Sequence, residues 1–154
     1  MRRFLLLNCF LVLDLILVFA QNPDTLLTKA RILIDQERCD EAASIYEKIL
    51  ETEVRNYESY AFLGSYYYLM GKDAVDSVEK EYKAIILPNH MQMAQYQDKL
   101  RNIYFSDYEK ANTYLLKALE IEKNDHLVKL MGTIHSFKER IGLVPVKKRR
   151  KSRV

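Results

Sequence analysis

The sequence predicts an all-α fold, an α-solenoid of about three helix pairs followed by a C-terminal capping helix. Its 154 residues include only 4 Gly and 3 Pro, so few residues interrupt helices. Apolar residues also recur at helical spacing along the middle of the chain. Finally, one apolar triplet occurs three times, at intervals of 36 and 33 residues, and such a period is typical of stacked repeats.

Length and composition restrict the class of protein. A chain of this length amounts to one ordinary domain. Its 49% hydrophobic and 29% charged residues exclude collagen-like and largely disordered proteins. Its two cysteines can build neither a disulfide scaffold nor a four-cysteine zinc site. The net charge of +3 is an average over uneven regions. Residues 21–144 are acidic, since they carry 16 cations and 20 anions.

The first twenty residues predict a secretory signal peptide. A basic start at residues 2–3 precedes an apolar segment, in which 15 of residues 4–20 are apolar, and Val18 and Ala20 supply small residues for cleavage. Uncleaved, the segment would be a membrane anchor, although Asp14 would cost roughly 2.5–3.5 kcal/mol at the centre of an inserted helix. A buried cytosolic helix is the third interpretation, disfavoured because the segment lacks a polar stripe. We therefore expect an exported protein, periplasmic or secreted.

Residues 21–144 predict the array. The first pair is joined by a polar loop that ends on Asp40, a residue suited to an N-cap. The second pair is expected over 57–70 and 75–87, with a turn at Gly71–Asp73 and a stop at Pro88. The first pair has two apolar stripes, which are Leu26, Ala30 and Leu33, then Ala42, Ile45, Tyr46, Ile49 and Leu50.

The third pair is expected to turn at Ser106–Asp107, and its second helix to run over 108–122. Asn124 then precedes a last, unpaired helix over 126–141, which would cap the exposed end of a solenoid. The apolar face of the pair's first helix consists of Met93, Tyr96, Leu100 and Tyr104, and that of the last helix of Leu127, Leu130, Met131, Ile134 and Ile141.

The region around residues 57–71 carries the clearest family motif. Tyr60, Leu63, Gly64 and Tyr67 have the spacing W-x2-L-G-x2-Y, with Tyr in place of Trp. The recurring triplets are Ala42, Tyr46 and Ile49, then Val78, Tyr82 and Ile85, then Ala111, Leu115 and Ala118. Residues 23–141 thus resemble a tetratricopeptide repeat array. The departures are Lys29 and Gln97 at motif positions and the missing final Pro, and the rival interpretation is an ordinary seven-helix bundle.

The resemblance implies a concave groove that binds extended or helical peptide segments of partner proteins. A carboxylate clamp is not supported, because Leu27 and Arg31 occupy the positions where one subclass has its clamp residues. The alternative is that the repeats merely stack and the functional surface lies elsewhere. The first helix of each pair would line the groove, with Leu27, Arg31 and Ile34, then Glu58, Ala61, Ser65, Tyr68 and Leu69, then Ala94, Asp98 and Arg101.

The last ten residues, 145–154, predict a disordered basic tail. Six cations in seven residues repel one another and bury nothing. Such a run fits an anionic surface of lipid, glycan or nucleic acid, or serves only solubility. A nuclear signal would contradict export, and nucleic acid is not the favoured partner. The cations are Lys147, Lys148, Arg149, Arg150, Lys151 and Arg153.

Residues that could carry catalysis or bind a metal form no recognisable motif. His90, His126 and His135 lack the spacing H-E-x-x-H, and no Gly-rich phosphate loop is present. After signal removal Cys39 would be the only cysteine, and it lies in a polar turn as a bystander thiol. We therefore expect no enzyme, cofactor or metal. The favoured function is an exported protein–protein interaction scaffold, and the alternative is a tethering module that uses the basic tail.

Overall fold

The computed structural model describes residues 22–144, which form helices joined by short connections. These residues divide into two compact units, with the boundary between Phe62 and Leu63. No β-strand occurs within residues 22–144, and the predicted all-α class is confirmed. The predicted leader (1–20) and the predicted tail (145–154) lie outside the described residues.

Unit 1 contains a helix pair, α1 (Pro23–Asp35) and α2 (Cys39–Thr52), and the start of α3 (Tyr57–Lys83). The Asn22 side chain caps α1 by accepting a hydrogen bond from the backbone N–H of Asp24 at 3.1 Å. Because α2 already begins at Cys39, the predicted N-cap Asp40 lies inside its first turn. The predicted stripes form the core, which buries Ala30, Leu33, Ala42, Ile45, Tyr46 and Ile49.

The turn predicted at Gly71–Asp73 is wrong, because α3 continues through it as one helix of 27 residues. Gly71 serves helix packing rather than a turn. A Cβ atom at this position would lie 3.0 Å from the ring of Tyr108, closer than packed side chains normally approach. The glycine therefore lets a buried aromatic ring contact the helix backbone.

The turn predicted at Ser106–Asp107 is also wrong. The chain stays helical from α4 (His90–Ile103) through a single π-helical segment (Tyr104–Tyr108) into α5 (Glu109–Ile121). A π-helical turn holds an extra residue without breaking the helix. The residues that the repeat pattern assigns to a turn are thus accommodated inside a continuous rod.

In unit 2, the later part of α3 and the α4–α5 rod form a long antiparallel helical hairpin. Three contacts show the antiparallel order. Gly64 lies against Leu115, Gly71 lies against Tyr108, and Tyr82 stacks on Tyr96. Residues 84–89 connect the two arms. Three pairs of tyrosine rings meet across the two arms, Tyr67 with Tyr114, Tyr68 with Tyr108 and Tyr82 with Tyr96.

Helix α6 (Asp125–Arg140) packs its apolar face on the rod. Asn124 caps it, since its side chain accepts hydrogen bonds from the backbone N–H groups of His126 and Leu127 at 2.9 and 3.3 Å. The helix buries Leu127, Ile134 and Phe137. None of the helices in residues 22–144 combines the length and the apolarity that crossing a membrane requires.

Candidate functional site

An open pocket of about 330 Å³ lies in unit 2 between α3, the π-helical segment and α6. We call it the aromatic pocket. It combines an aromatic floor with a rim that carries both signs of charge, a combination common in binding sites. Its lining consists of Tyr68, Lys72, Val75, Asp76, Glu79, Tyr108, Thr133, Ser136, Phe137 and Arg140.

Three rings form the floor of the aromatic pocket. The Tyr68 ring lies 5.9 Å from that of Tyr108, and the Tyr108 ring lies 4.8 Å from that of Phe137, both tilted. Tyr108 and Phe137 are buried, whereas Tyr68 is half-buried. Burial raises the pKa of Tyr108 to about 12, so its hydroxyl stays protonated at neutral pH.

The charged rim is held together by ion pairs. Arg140 donates to Glu79 at 2.8 Å, and its guanidinium lies 4.8 Å from the ring centre of Phe137. Glu79 also accepts a hydrogen bond from Lys83 at 3.0 Å. These two cations, Lys83 first, hold the pKa of Glu79 below its ordinary value. The carboxylate therefore stays ionised and keeps Arg140 over the aromatic floor.

A second cluster lies in unit 1, where Glu58 accepts hydrogen bonds from two side chains. Arg31 Nε donates to Glu58 Oε1 at 2.9 Å, and the hydroxyl of Tyr46 donates to the same oxygen at 2.8 Å. The Tyr46 ring is buried and stacks on Phe62 at 4.6 Å between ring centres. We call Arg31, Tyr46 and Glu58 the Glu58 cluster.

Ionisation in the Glu58 cluster follows from its hydrogen bonds. The Arg31 guanidinium, assisted by the Tyr46 hydroxyl, lowers the pKa of Glu58 despite partial desolvation. Burial, followed by the bond to Glu58, raises the pKa of Tyr46 above its ordinary value. At neutral pH the cluster is therefore a carboxylate held between a cation and a neutral phenol. Two predicted groove residues, Arg31 and Glu58, are thus each other's partners.

The remaining predicted groove residues fall into separate places. In unit 1, Leu27, Ile34 and Ala61 are half-buried. In unit 2, Ser65 is half-buried and Leu69 exposed, while Ala94, Asp98 and Arg101 lie exposed on α4. Asp98 and Arg101 approach each other at 3.5 Å.

Within unit 2, the predicted groove residues of α4 are distant from Tyr68. They lie beside the stretch of α3 around Tyr82, because Lys99 pairs with Glu81 at 2.8 Å and Tyr96 stacks on Tyr82. That stretch is separated from Tyr68 by roughly 20 Å of helix, at about 1.5 Å of rise per residue. Tyr68 instead joins residues from the π-helical segment and α6.

Sequence reasoning missed most of the aromatic pocket. Phe137 continues the apolar stripe of the last helix three residues after Ile134, so helical spacing could have found it. Arg140 and Glu79 are 61 residues apart in sequence, and no local pattern pairs them. The sequence places Tyr108 at the start of a helix and gives no sign that its ring forms a buried floor.

The comparisons with known proteins bear on the fold. No protein-family model matches the chain, and no curated protein matches it. Among solved structures, it is similar to a "putative protein binding protein" from Bacteroides ovatus, with 30% sequence identity and a TM-score of 0.75. The match covers 79% of this chain and 59% of that one, so this chain spans less than two thirds of its neighbour's length.

Together, the fold and the comparison define the protein as an all-α protein of packed helix pairs, similar to a known helical structure. The more specific assignment to the tetratricopeptide repeat family stays a prediction. So does the signal peptide, which lies outside the described residues. Within residues 22–144, no group of three or more His, Cys, Asp or Glu side chains lies close enough to hold a metal ion.

Proposed function

We propose that the protein is a non-enzymatic interaction module that binds a segment of a partner protein at the aromatic pocket. The observation that carries this proposal is the open floor of Tyr68, Tyr108 and Phe137 beneath the Arg140–Glu79 pair. The structural similarity to the "putative protein binding protein" from Bacteroides ovatus supports it. The other predicted groove residues are proposed to extend the binding surface within each unit.

The chemistry of the pocket indicates what the partner segment presents. A pocket of about 330 Å³ has room for one large apolar side chain, for which the aromatic rings provide contact area. The rim offers Lys72 and Arg140 against Asp76 and Glu79, so its formal charges balance. We therefore expect a peptide with an apolar anchor flanked by polar or oppositely charged residues.

A peptide-display selection on the full chain tests this function. Synthetic peptides from the selection are titrated by calorimetry into the wild type and into Tyr68→Ala. We expect Tyr68→Ala to weaken binding about tenfold or more, because it removes an aromatic contact. The matched control is Tyr66→Ala, whose ring packs edge-on against Tyr67. Equal affinity for the wild type and Tyr68→Ala would contradict the proposal, provided that circular dichroism shows intact helices.

Export and surface tethering remain proposals that rest on sequence alone. The apolar leader supports export, periplasmic or secreted, or a membrane anchor at residues 4–20. N-terminal sequencing of the purified protein distinguishes these, because Gln21 as the first residue indicates cleavage and a membrane-bound Met1 indicates an anchor. The six cations of the basic tail support attachment to an anionic surface.

A further inference from the structure

The end of the long hairpin in unit 2 exposes apolar side chains. Ile86 is 93% exposed and Leu87 88%, both in the connection between α3 and α4. Met91 and Met93, on the first turn of α4, are 68% and 47% exposed. We call residues 84–97 the hairpin tip. Ile86 and Leu87 are adjacent and almost fully exposed, so they form the apolar centre of the tip, whereas Met91 and Met93, two residues apart on a helix, point to different faces.

The hairpin tip also carries no formal charge at pH 7 when its one histidine, His90, is counted as neutral. Between Lys83 and Asp98 the sequence contains no Lys, Arg, Asp or Glu, although 29% of the chain is charged. The charges that border the tip are neutralised in pairs, Lys83 with Glu79 at 3.0 Å and Lys99 with Glu81 at 2.8 Å. The tip is therefore complementary to an uncharged apolar environment.

Local interactions hold the hairpin tip in place. The Asn89 side chain accepts from the backbone N–H of Gln92, and the Gln92 side chain accepts from the backbone N–H of Asn89, both at 2.9 Å. This capping box fixes the start of α4. Within the tip, the Tyr96 ring stacks on the Tyr82 ring of α3 at 4.1 Å between ring centres. The apolar side chains are thus presented by an ordered loop.

The exposed area is too small for a dimer of two tips. The four side chains together amount to about three fully exposed ones, or on the order of 350 Å² of apolar surface. Two tips in contact would bury at most roughly 700 Å² of apolar surface, whereas stable homodimer interfaces bury about 800–1,300 Å² of it, since about 65% of their 1,200–2,000 Å² is apolar. A second copy of the chain is therefore a poor occupant.

The residue types favour lipid over a protein cleft. Energetic centres of protein interfaces are enriched in Trp, Tyr and Arg, while Leu is under-represented. The two most exposed apolar residues of the tip, Ile86 and Leu87, are aliphatic instead. Lipid chains impose no such directional contacts, and polar uncharged neighbours such as Asn89 and Gln92 suit the headgroup region.

We propose that the hairpin tip inserts into the interfacial region of a lipid bilayer, with Ile86 and Leu87 entering deepest. Insertion of uncharged side chains does not require anionic lipid, so it is independent of the basic tail. It also goes beyond partner binding at the aromatic pocket and does not depend on it. The protein would contact the membrane peripherally, through buried apolar area.

A single tryptophan reports on the tip directly, because the chain contains none. In the full chain, Leu87→Trp is mixed with vesicles of zwitterionic phosphatidylcholine, with and without brominated acyl chains. We expect a blue shift of tryptophan emission and quenching by the bromines. The matched control is Val128→Trp, at a half-exposed position on α6, which should show neither change.

A charged neighbour provides a second measurement. Ile86→Asp in the Leu87→Trp background should lower partitioning into these vesicles about tenfold, with unchanged helical content because Ile86 packs against almost nothing. If vesicles leave the tryptophan emission of Leu87→Trp unchanged, the proposal is overturned, whether or not the protein sediments with them. A blue shift that grows with protein concentration in the absence of vesicles would overturn the proposal and assign the tip to contact with a second copy. A blue shift that appears only when a partner protein is added would overturn it in favour of a protein cleft.

Discussion

The carboxylate of Glu58 accepts hydrogen bonds from two side chains of unit 1. It receives the Arg31 guanidinium and the Tyr46 hydroxyl, and its pKa is lowered as a result. A lowered pKa in the folded state means that the stabilisation is present above the ordinary value of 4.5 and is lost as the pH falls through the lowered value. Because the Arg31 side chain is largely exposed, solvent screening keeps this contribution small.

Glu58→Gln should therefore flatten the acid side of the stability curve. Urea unfolding of the variant is expected to lose part of the decline that the wild type shows below about pH 4.5, because the amide does not titrate there. Glu51→Gln, at an exposed position on α2, serves as control and should leave the curve unchanged. An acid decline in Glu58→Gln as steep as that of the wild type would show that this carboxylate is not coupled to folding.

Two helical glycines differ in how much space surrounds them, so substitution by alanine should change stability in opposite directions. A Cβ at Gly64 would lie 2.7 Å from Leu115 Cδ2 and 3.1 Å from its backbone nitrogen, so Gly64→Ala should cost about 1–3 kcal/mol. Around Gly132 nothing lies within 4 Å of such an atom, so Gly132→Ala should add about 0.5–1 kcal/mol through helix propensity. Chemical denaturation measures both, and a stabilising Gly64→Ala would refute the close approach of α3 and α5.

Single side chains are predictable where the cause is local. Leu63 and Gly64 follow from the repeat motif, and Asn124 follows from its position ahead of an apolar face. Pairings are not predictable in this way, because they depend on residues far apart. Arg31 and Glu58 are both predicted groove residues. They are 27 residues apart in sequence, so no local pattern indicates that they bind each other.

The helices themselves show where local sequence patterns mislead. Gly71 after an apolar stripe indicates a helix end, yet the chain stays helical there, and the missing side chain leaves room for the ring of Tyr108. Ser106 and Asp107 are typical turn residues, yet the π-helical segment absorbs them. In both cases packing between the arms of the hairpin overrides the intrinsic preference of the turn residues.

The continuity of α3 can be tested with proline. Asp73→Pro should cost about 3 kcal/mol or more, because proline inside a helix removes a hydrogen bond and clashes with the preceding turn. Asp125→Pro is the matched control. Asp125 is the first residue of α6 and follows Asn124 in an extended conformation, with φ −143° and ψ 113°, where proline is tolerated.

Thermal or urea unfolding of the two proline variants gives the comparison. We expect Asp125→Pro to stay within about 1 kcal/mol of the wild type. Equal stabilities of Asp73→Pro and Asp125→Pro would contradict a continuous α3 and support the turn that the repeat pattern predicts at Gly71–Asp73.

For the complete chain, the proposed activities separate by chemistry. The aromatic pocket is proposed to bind peptide, the hairpin tip to enter uncharged lipid, and the basic tail to attract an anionic surface. Deletion of residues 147–154 should remove the preference for vesicles containing phosphatidylserine over pure phosphatidylcholine, about tenfold or more at low salt. Peptide affinity should not change. A preference for anionic vesicles that survives the deletion would rule out tethering by the tail.

The sequence could indicate the all-α class and most buried helix faces, since both follow from helical spacing. It could not indicate the aromatic pocket, because Tyr68, Tyr108 and Phe137 come from three segments that only the folded hairpin and α6 bring together. The lining of a binding surface is thus the part of this protein that depends most on tertiary structure.

Partner binding at the aromatic pocket is the central claim, and site-specific photo-crosslinking in the cells that produce the protein tests it most directly. A photoreactive amino acid replaces Tyr68 in one variant and Leu116, an exposed residue of α5, in another. We expect position 68 to give one discrete crosslinked product with a partner protein and position 116 to give none of that product. Adding Arg140→Glu to the position 68 variant should abolish the product. The same products from both positions, or none from position 68, would contradict the claim.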